Sequence, residues 1–220
     1  MEVCDDLEGE FAERVVEAFH YRSDDLFSLV LSGGDTARRC YERLAEYASD
    51  QIDWWKVDVL WGDERMVGPD DDASNFRLAR EALLERVGAA NRVEPMRADG
   101  DAADYARLVA GLGRLDVVHL GLGGDGHTAS LFPDAEALDE SERLVVRTTD
   151  PRGNNPLERM TLTYPGIARA RLVLMTVSGE AKAEPLARLV AGEDIPAARV
   201  RADRVVVLAD RDAAAGLDRG

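Results

Sequence analysis

Short, predominantly apolar runs that show no alternating polar face recur along this chain, each followed by a segment with helical spacing. Residues 26–31, 57–61 and 115–120 are the strongest. A strand with no polar face has nothing to offer water, so such strands belong to a sheet covered on both sides. Further strands are expected at 144–148, 160–163, 172–177 and 205–208. Helices are expected at 7–21, with Phe11, Val15, Val16 and Phe19 on one side, then at 36–47, after Ser74 as cap, at 101–110 and at 180–191. The alternation predicts an α/β protein with a mostly parallel sheet covered by helices on both faces. No long Gly/Ser/Pro linker, repeat or low-complexity tract interrupts it, so residues 1–220 are read as one domain. The irregular stretch 150–158 is expected to be a loop flapping over a site.

Composition narrows the function classes. Asp and Glu number 43 against 27 Lys plus Arg, a formal net charge of −16. A surface this acidic is a poor match for a nucleic-acid backbone or an anionic membrane. The chain starts without the basic and apolar regions of a signal peptide, and no apolar run approaches the roughly 20 residues of a membrane span. Cys4 and Cys40 lack C-x-x-C spacing, which suits a reducing compartment. The expectation is a cytoplasmic protein with no nucleic-acid or membrane partner.

In parallel sheets ligands bind beyond the carboxyl ends of the strands, so the segments that follow each strand carry the chemistry. After the first comes Ser32-Gly33-Gly34-Asp35-Thr36. It reads either as a tight turn with Asp35 or Thr36 capping the helix, or as a backbone cradle for an anion. No G-x-S-x-G elbow surrounds Ser32, so a nucleophilic serine is disfavoured. After the second comes Gly62-Asp63-Glu64-Arg65, in which Arg65 offers a fork for an anion and the acids orient it, or all three pair among themselves. The acidic turn 68–72 lacks the ligand spacing of a calcium loop.

The third strand leads into Gly121-Leu122-Gly123-Gly124-Asp125-Gly126-His127. It satisfies G-x-G-x-x-G literally, but Pro133 leaves no room for the helix that a dinucleotide fingerprint needs. Of the three histidines, His20 falls in a helical pattern and His119 in mid-strand. Only His127 follows a loop at a strand's carboxyl end, where imidazole serves as general base or acid. No second His or Cys stands at zinc-ligand spacing. Arg159 precedes a strand, while Lys182 sits in the first turn of a helix, against the helix dipole, in a chain whose only other lysine is Lys56.

Together these segments resemble the 6-phosphogluconolactonase family. The carriers are L-S-G-G-D-T at 31–36, W-G-D-E-R at 61–65 with D-D-A-S-N-F at 71–76, L-G-L-G-G-D-G-H-T-A-S-L-F-P at 120–133, E-R-M-T-L-T at 158–163 and S-G-E-A-K-A at 178–183. Asp35 and Ala37 depart from the Ser and Pro usual in the family's first loop, and Asp35 sets a negative charge beside the proposed cradle. The resemblance implies a single Rossmann-like domain related to glucosamine-6-phosphate isomerase/deaminase and ribose-5-phosphate isomerase. It implies hydrolysis of 6-phospho-D-glucono-1,5-lactone in the oxidative pentose phosphate pathway, with no cofactor and no metal. His127, Asp125 and Arg65 are then the expected catalytic residues. Ser32, Gly33, Gly34, Asp63, Arg65, Gly123, Gly124, Arg159 and Lys182 are the expected substrate and phosphate ligands. The expected partner is the small phosphosugar lactone, on a monomer or small homo-oligomer. The alternatives are an amino-sugar-phosphate isomerase/deaminase and a non-catalytic sugar-phosphate-binding domain.

Overall fold

A computed structural model describes residues 1–217. In chain order the elements are β1 (Glu2–Cys4), α1 (Leu7–His20), β2 (Phe27–Leu31), α2 (Asp35–Ala48), β3 (Val57–Trp61), β4 (Asp63–Arg65), α3 (Asn75–Ala79), β5 (Arg92–Glu94), α4 (Ala102–Gly111), β6 (Leu115–Gly121), β7 (Val145–Thr148), β8 (Arg159–Leu162), α5 (Tyr164–Ile167), β9 (Ala170–Val177), α6 (Ala183–Val190), β10 (Arg204–Asp210) and α7 (Arg211–Ala214). Seven strands form one parallel sheet in the order β1-β10-β9-β6-β2-β3-β5. Every residue of β2 and β3 is buried, Ser28 and Asp58 included, as expected of strands in a sheet covered on both faces.

The strand order sets where a ligand can enter. From β2 the chain moves to β3 on one side, while β6 lies on the other. The turns that leave β2 and β6 therefore diverge and open a crevice at the carboxyl ends of these strands. No helix among the described residues is long and apolar enough to cross a membrane.

Three features depart from the sequence expectation. The segments at 144–148 and 160–163 are strands, but they join β4 in a separate antiparallel sheet, β4-β8-β7. Gly62 links the two sheets: its N–H donates to Leu31 O (2.8 Å) and its carbonyl accepts from Leu162 N (2.8 Å). The helix after Ser74 does begin there, with the Ser74 hydroxyl accepting from Arg77 N (3.1 Å). It then widens into a π-helical turn at Arg80–Leu84. β1, β4 and β5 are additions, each only three residues long and too short to carry a period.

The core is one cluster spanning both sides of the parallel sheet. Phe11 of α1 is fully buried and lies against the Tyr41 and His119 rings, with centroids 6.2 and 4.4 Å away. Phe11→Ala is expected to cost about 3–5 kcal/mol, because the cavity cannot close against a rigid sheet. Urea unfolding measures this, and a loss below about 1 kcal/mol would contradict the packing described.

Candidate functional site

At the β2/β6 crevice lies a cleft of about 250 Å³ that gathers the chain's chemistry-bearing loops. Of the residues expected from sequence, Ser32, Gly33, Gly34, Asp63, Arg65, Gly123, Gly124, His127, Arg159 and Lys182 all line it. Asp125 does not, but it reaches His127 from behind. A second hollow of about 430 Å³ continues the cleft past Gly33, Gly34 and Lys182 to the start of α2. His127 borders only the first.

The β6 loop folds on itself to present the imidazole. Gly123 N–H donates to His127 O (2.8 Å) and Gly126 N–H to Gly123 O (3.0 Å), while the Thr128 hydroxyl donates to Gly121 O (2.8 Å). The ring lies directly on Gly123, where any Cβ would overlap it, so only glycine fits there. Its other side meets Phe132, centroids 5.0 Å apart. Asp125 Oδ1 stands 2.6 Å from His127 Nδ1 and also accepts from His127 N–H (3.0 Å). The hydrogen bond to His127 lowers the Asp125 carboxyl to about 2. An ionised carboxylate only accepts, so Nδ1 carries a proton, and in the neutral imidazole the free lone pair lies on Nε2. Loop 122–127 is followed by turns and the isolated bridge Thr128↔Leu131, not by the helix of a dinucleotide site.

Arg65 and Arg159 arrive from the antiparallel sheet. They are direct cross-strand partners on β4 and β8, an arrangement that like charges ordinarily disfavour. Arg65 donates to Ala73 O (2.6 Å), whereas Arg159 is only 6% exposed and makes no side-chain hydrogen bond among the described residues. Burial, then the charge of Arg65, pulls the Arg159 guanidinium below its ordinary value. Neither arginine nor Lys182 forms an ion pair among the described residues, in a chain where most arginines do.

The neighbouring acids have structural employment. Asp63 Oδ2 accepts from the Ser130 hydroxyl (2.7 Å). Buried Glu64 accepts from Arg65, Asn75 and Phe76 N–H, each at 2.7 Å, and from the Ser74 hydroxyl (3.2 Å). Burial raises its carboxyl in spite of these donors. Glu64 thus pins the start of α3, and Asn75 there packs its amide against Gly33 so closely that a Cβ on Gly33 would overlap it.

Three sequence readings resolve here. Neither Asp35 nor Thr36 caps α2: Gly34, at φ +92°, occupies the cap with no side-chain bond, leaving the first N–H groups of the helix facing the hollow. His119 is the buried core histidine, its pKa lowered to about 3 by burial. Loop 150–158 reaches the cleft through Asn155. Sequence reasoning missed Asn75, Ser130, Phe132 and Asn155 as lining residues. Asn75 and Ser130 lay inside the recognised motifs, but only tertiary packing gives them their place.

Gly123→Ala is expected to force the imidazole off Asp125. Carboxyl carbon-13 titration reads this: Asp125 should titrate near pH 2 in the unaltered chain and climb toward the ordinary value of about 3.9 in the variant. Sign follows from the depressed value, since the pair holds above the ordinary carboxylate range and is lost only as pH falls through about 2. Ordinary titration in both proteins would contradict the pairing.

Comparison with known proteins places these features. The profile of the family described as glucosamine-6-phosphate isomerases/6-phosphogluconolactonase matches residues 1–208. The chain is 41% identical over 210 residues to a 6-phosphogluconolactonase of Mycobacterium tuberculosis, covering 86% of this chain and 84% of that protein. It is 40% identical over 179 residues to one from a Nostoc species, covering 75% and 72%. Its structure is similar to a crystal structure of 6-phosphogluconolactonase from Thermotoga maritima, with a TM-score of 0.83, 28% identity and coverage of 94% and 96%. A monomeric glucosamine-6-phosphate deaminase shares the fold at a TM-score of 0.83 and 22% identity.

Proposed function

The chain belongs to the glucosamine-6-phosphate isomerase/6-phosphogluconolactonase family, and from that premise we propose that it hydrolyses 6-phospho-D-glucono-1,5-lactone to 6-phosphogluconate, in the oxidative pentose phosphate pathway, with His127 as general base. The observation that carries the reading is the convergence, in one cleft, of an Asp-oriented imidazole with cations that form no ion pair among the described residues.

The substrate is bipolar in its chemistry. Its phosphate lies at one end and its ester carbon, C1, at the other. Lys182 and the uncapped start of α2 border the outer hollow, away from His127, and suit the phosphate dianion. That placement leaves C1 in the inner cleft, beside His127, Arg65 and Arg159. His127 Nε2 takes a proton from water as the water oxygen bonds to C1. The carbonyl electron pair moves onto oxygen, and the arginines stabilise that charge where it develops. The tetrahedral centre then collapses, the bond from C1 to the ring oxygen breaks, and the ring oxygen recovers the proton from His127. The acid formed releases its own proton to solvent. Asp125 holds the imidazole in the tautomer this sequence needs and stabilises the imidazolium between the two transfers.

Ser32, Gly33 and Gly34 supply backbone to the phosphate end, and Gly123 and Gly124 line the ester end. Asp63, engaged with Ser130, acts by holding the cleft wall rather than by touching phosphate. Asp35 complements the α2 dipole from the first turn, but it also borders the outer hollow, so its negative charge does stand beside the proposed phosphate end.

The test is a fast assay of phosphogluconolactone hydrolysis above the spontaneous rate, with unphosphorylated gluconolactone as control. The phosphorylated substrate should be strongly preferred. His127→Ala should lower turnover at least about tenfold while 6-phosphogluconate affinity stays within about threefold. Equal rates on both lactones, or near-normal turnover in folded His127→Ala, would sink the reading. Ammonium release from glucosamine 6-phosphate would favour the deaminase instead.

A further inference from the structure

Beneath the turn Ser32–Gly34 runs a buried polar relay that the reaction does not use. The Ser32 N–H donates to the Tyr41 hydroxyl at 2.6 Å. The same hydroxyl stands 2.8 Å from His119 Nδ1, in the middle of β6. His119 Nε2 in turn stands 2.9 Å from Thr176 Oγ1 on β9. Tyr41, His119 and Thr176 are all buried. Burial keeps the imidazole neutral and lifts the Tyr41 phenol well above its ordinary value, so neither group carries charge near neutrality.

The direction of the relay follows from counting protons. Tyr41 accepts from Ser32 and has one proton to give. The His119 nitrogen, at 2.8 Å, is a nearer acceptor than Ser32 O, at 3.3 Å. With Nδ1 accepting, Nε2 carries the ring proton and donates to Thr176. One phenol thus satisfies the buried amide of the turn and is itself fixed by two strands of the sheet. From the other side Asn75 presses on Gly33, held by its Nδ2 donating to Asp63 O (2.9 Å). The turn that opens α2 is clamped between them.

We propose that Tyr41 is a positioning residue for the phosphate end of the substrate. Acting through Ser32, it fixes the turn so that the free N–H groups at the start of α2 and the Lys182 ammonium converge on one anion. The proposal rests on the phosphate placement given above. A rigid cradle binds better than a mobile one because its ordering is complete before the ligand arrives.

Tyr41→Phe removes one oxygen and leaves the Ser32 amide and His119 Nδ1 without partners. In the full chain, the Michaelis constant for phosphogluconolactone and the inhibition constant of inorganic phosphate should each rise about tenfold. Turnover number, and kcat/KM for unphosphorylated gluconolactone, should stay within about twofold. Thr176→Val, which cuts the far end of the relay at a residue that also borders the outer hollow, should move the same two constants less and in the same direction, while Thr176→Ser, which keeps the hydroxyl, should leave them within about twofold. Should Tyr41→Phe not fold, Thr176→Val decides on the same readouts. A uniform loss on both lactones, or unchanged constants for phosphate and for the phosphorylated lactone, overturns the proposal. An unaltered enzyme that neither prefers the phosphorylated lactone nor binds inorganic phosphate would instead overturn the functional reading on which the proposal rests.

Discussion

Arg65 and Arg159 face each other across two hydrogen-bonded strands with no acid paired to either among the described residues. Like charges in that position work against the sheet, and burial adds to the cost. Much of the surrounding structure secures this unfavourable pair. Gly62 joins the small sheet to the end of β2, Glu64 fixes the Arg65 backbone and α3, and Asp63 ties the wall to Ser130. Asp63, Glu64 and Asp150 temper the Arg159 charge, but none pairs directly with either arginine among the described residues, so both guanidinium groups stay open to a ligand.

The arrangement matters more because the chain as a whole is acidic. A net charge of −16 repels a phosphate dianion, but the repulsion between exposed charges is screened over about 8 Å at physiological salt. Attraction has to be local and poorly screened, within the cleft. The crevice provides for both ends of the ligand. It joins a helix start and a lysine at the outer end to two arginines and a carboxylate-oriented histidine at the inner end. Neutral hydrogen bonds under the floor hold the geometry without adding charge to it.

The legible part of this architecture was whatever local sequence determines. Predominantly apolar strands without a polar face dictated a covered parallel sheet, and the switch-point rule then led to the loops that carry Gly33, Asp63, His127 and Lys182. Three-residue strands carry no period, so β4 stayed hidden in a loop and its pairing with β8 could not be foreseen. Arg65 and Arg159 lie 94 positions apart, and only their registered pairing turns two ordinary arginines into one site. Asn75 and Tyr41 were silent for a related reason. An amide at a helix start and a tyrosine on an apolar face read as capping and core, and both become informative only against the turn they clamp. Neither Asp35 nor Thr36 caps α2 because both already lie inside the helix, after Gly34 at the cap position.

The central claim is that the arginine pair is a repulsion only partly offset by nearby acids and further relieved by an anion, and unfolding of Arg159→Met with and without 6-phosphogluconate tests it most directly. The account predicts a variant that, unliganded, is as stable as the parent or up to about 1 kcal/mol more stable, because a buried like-charge contact is gone. It also predicts that most of the ligand-induced stabilisation seen in the parent disappears, as the linkage between binding and folding requires. A variant that is clearly less stable without ligand, yet keeps its stabilisation by 6-phosphogluconate, would contradict it.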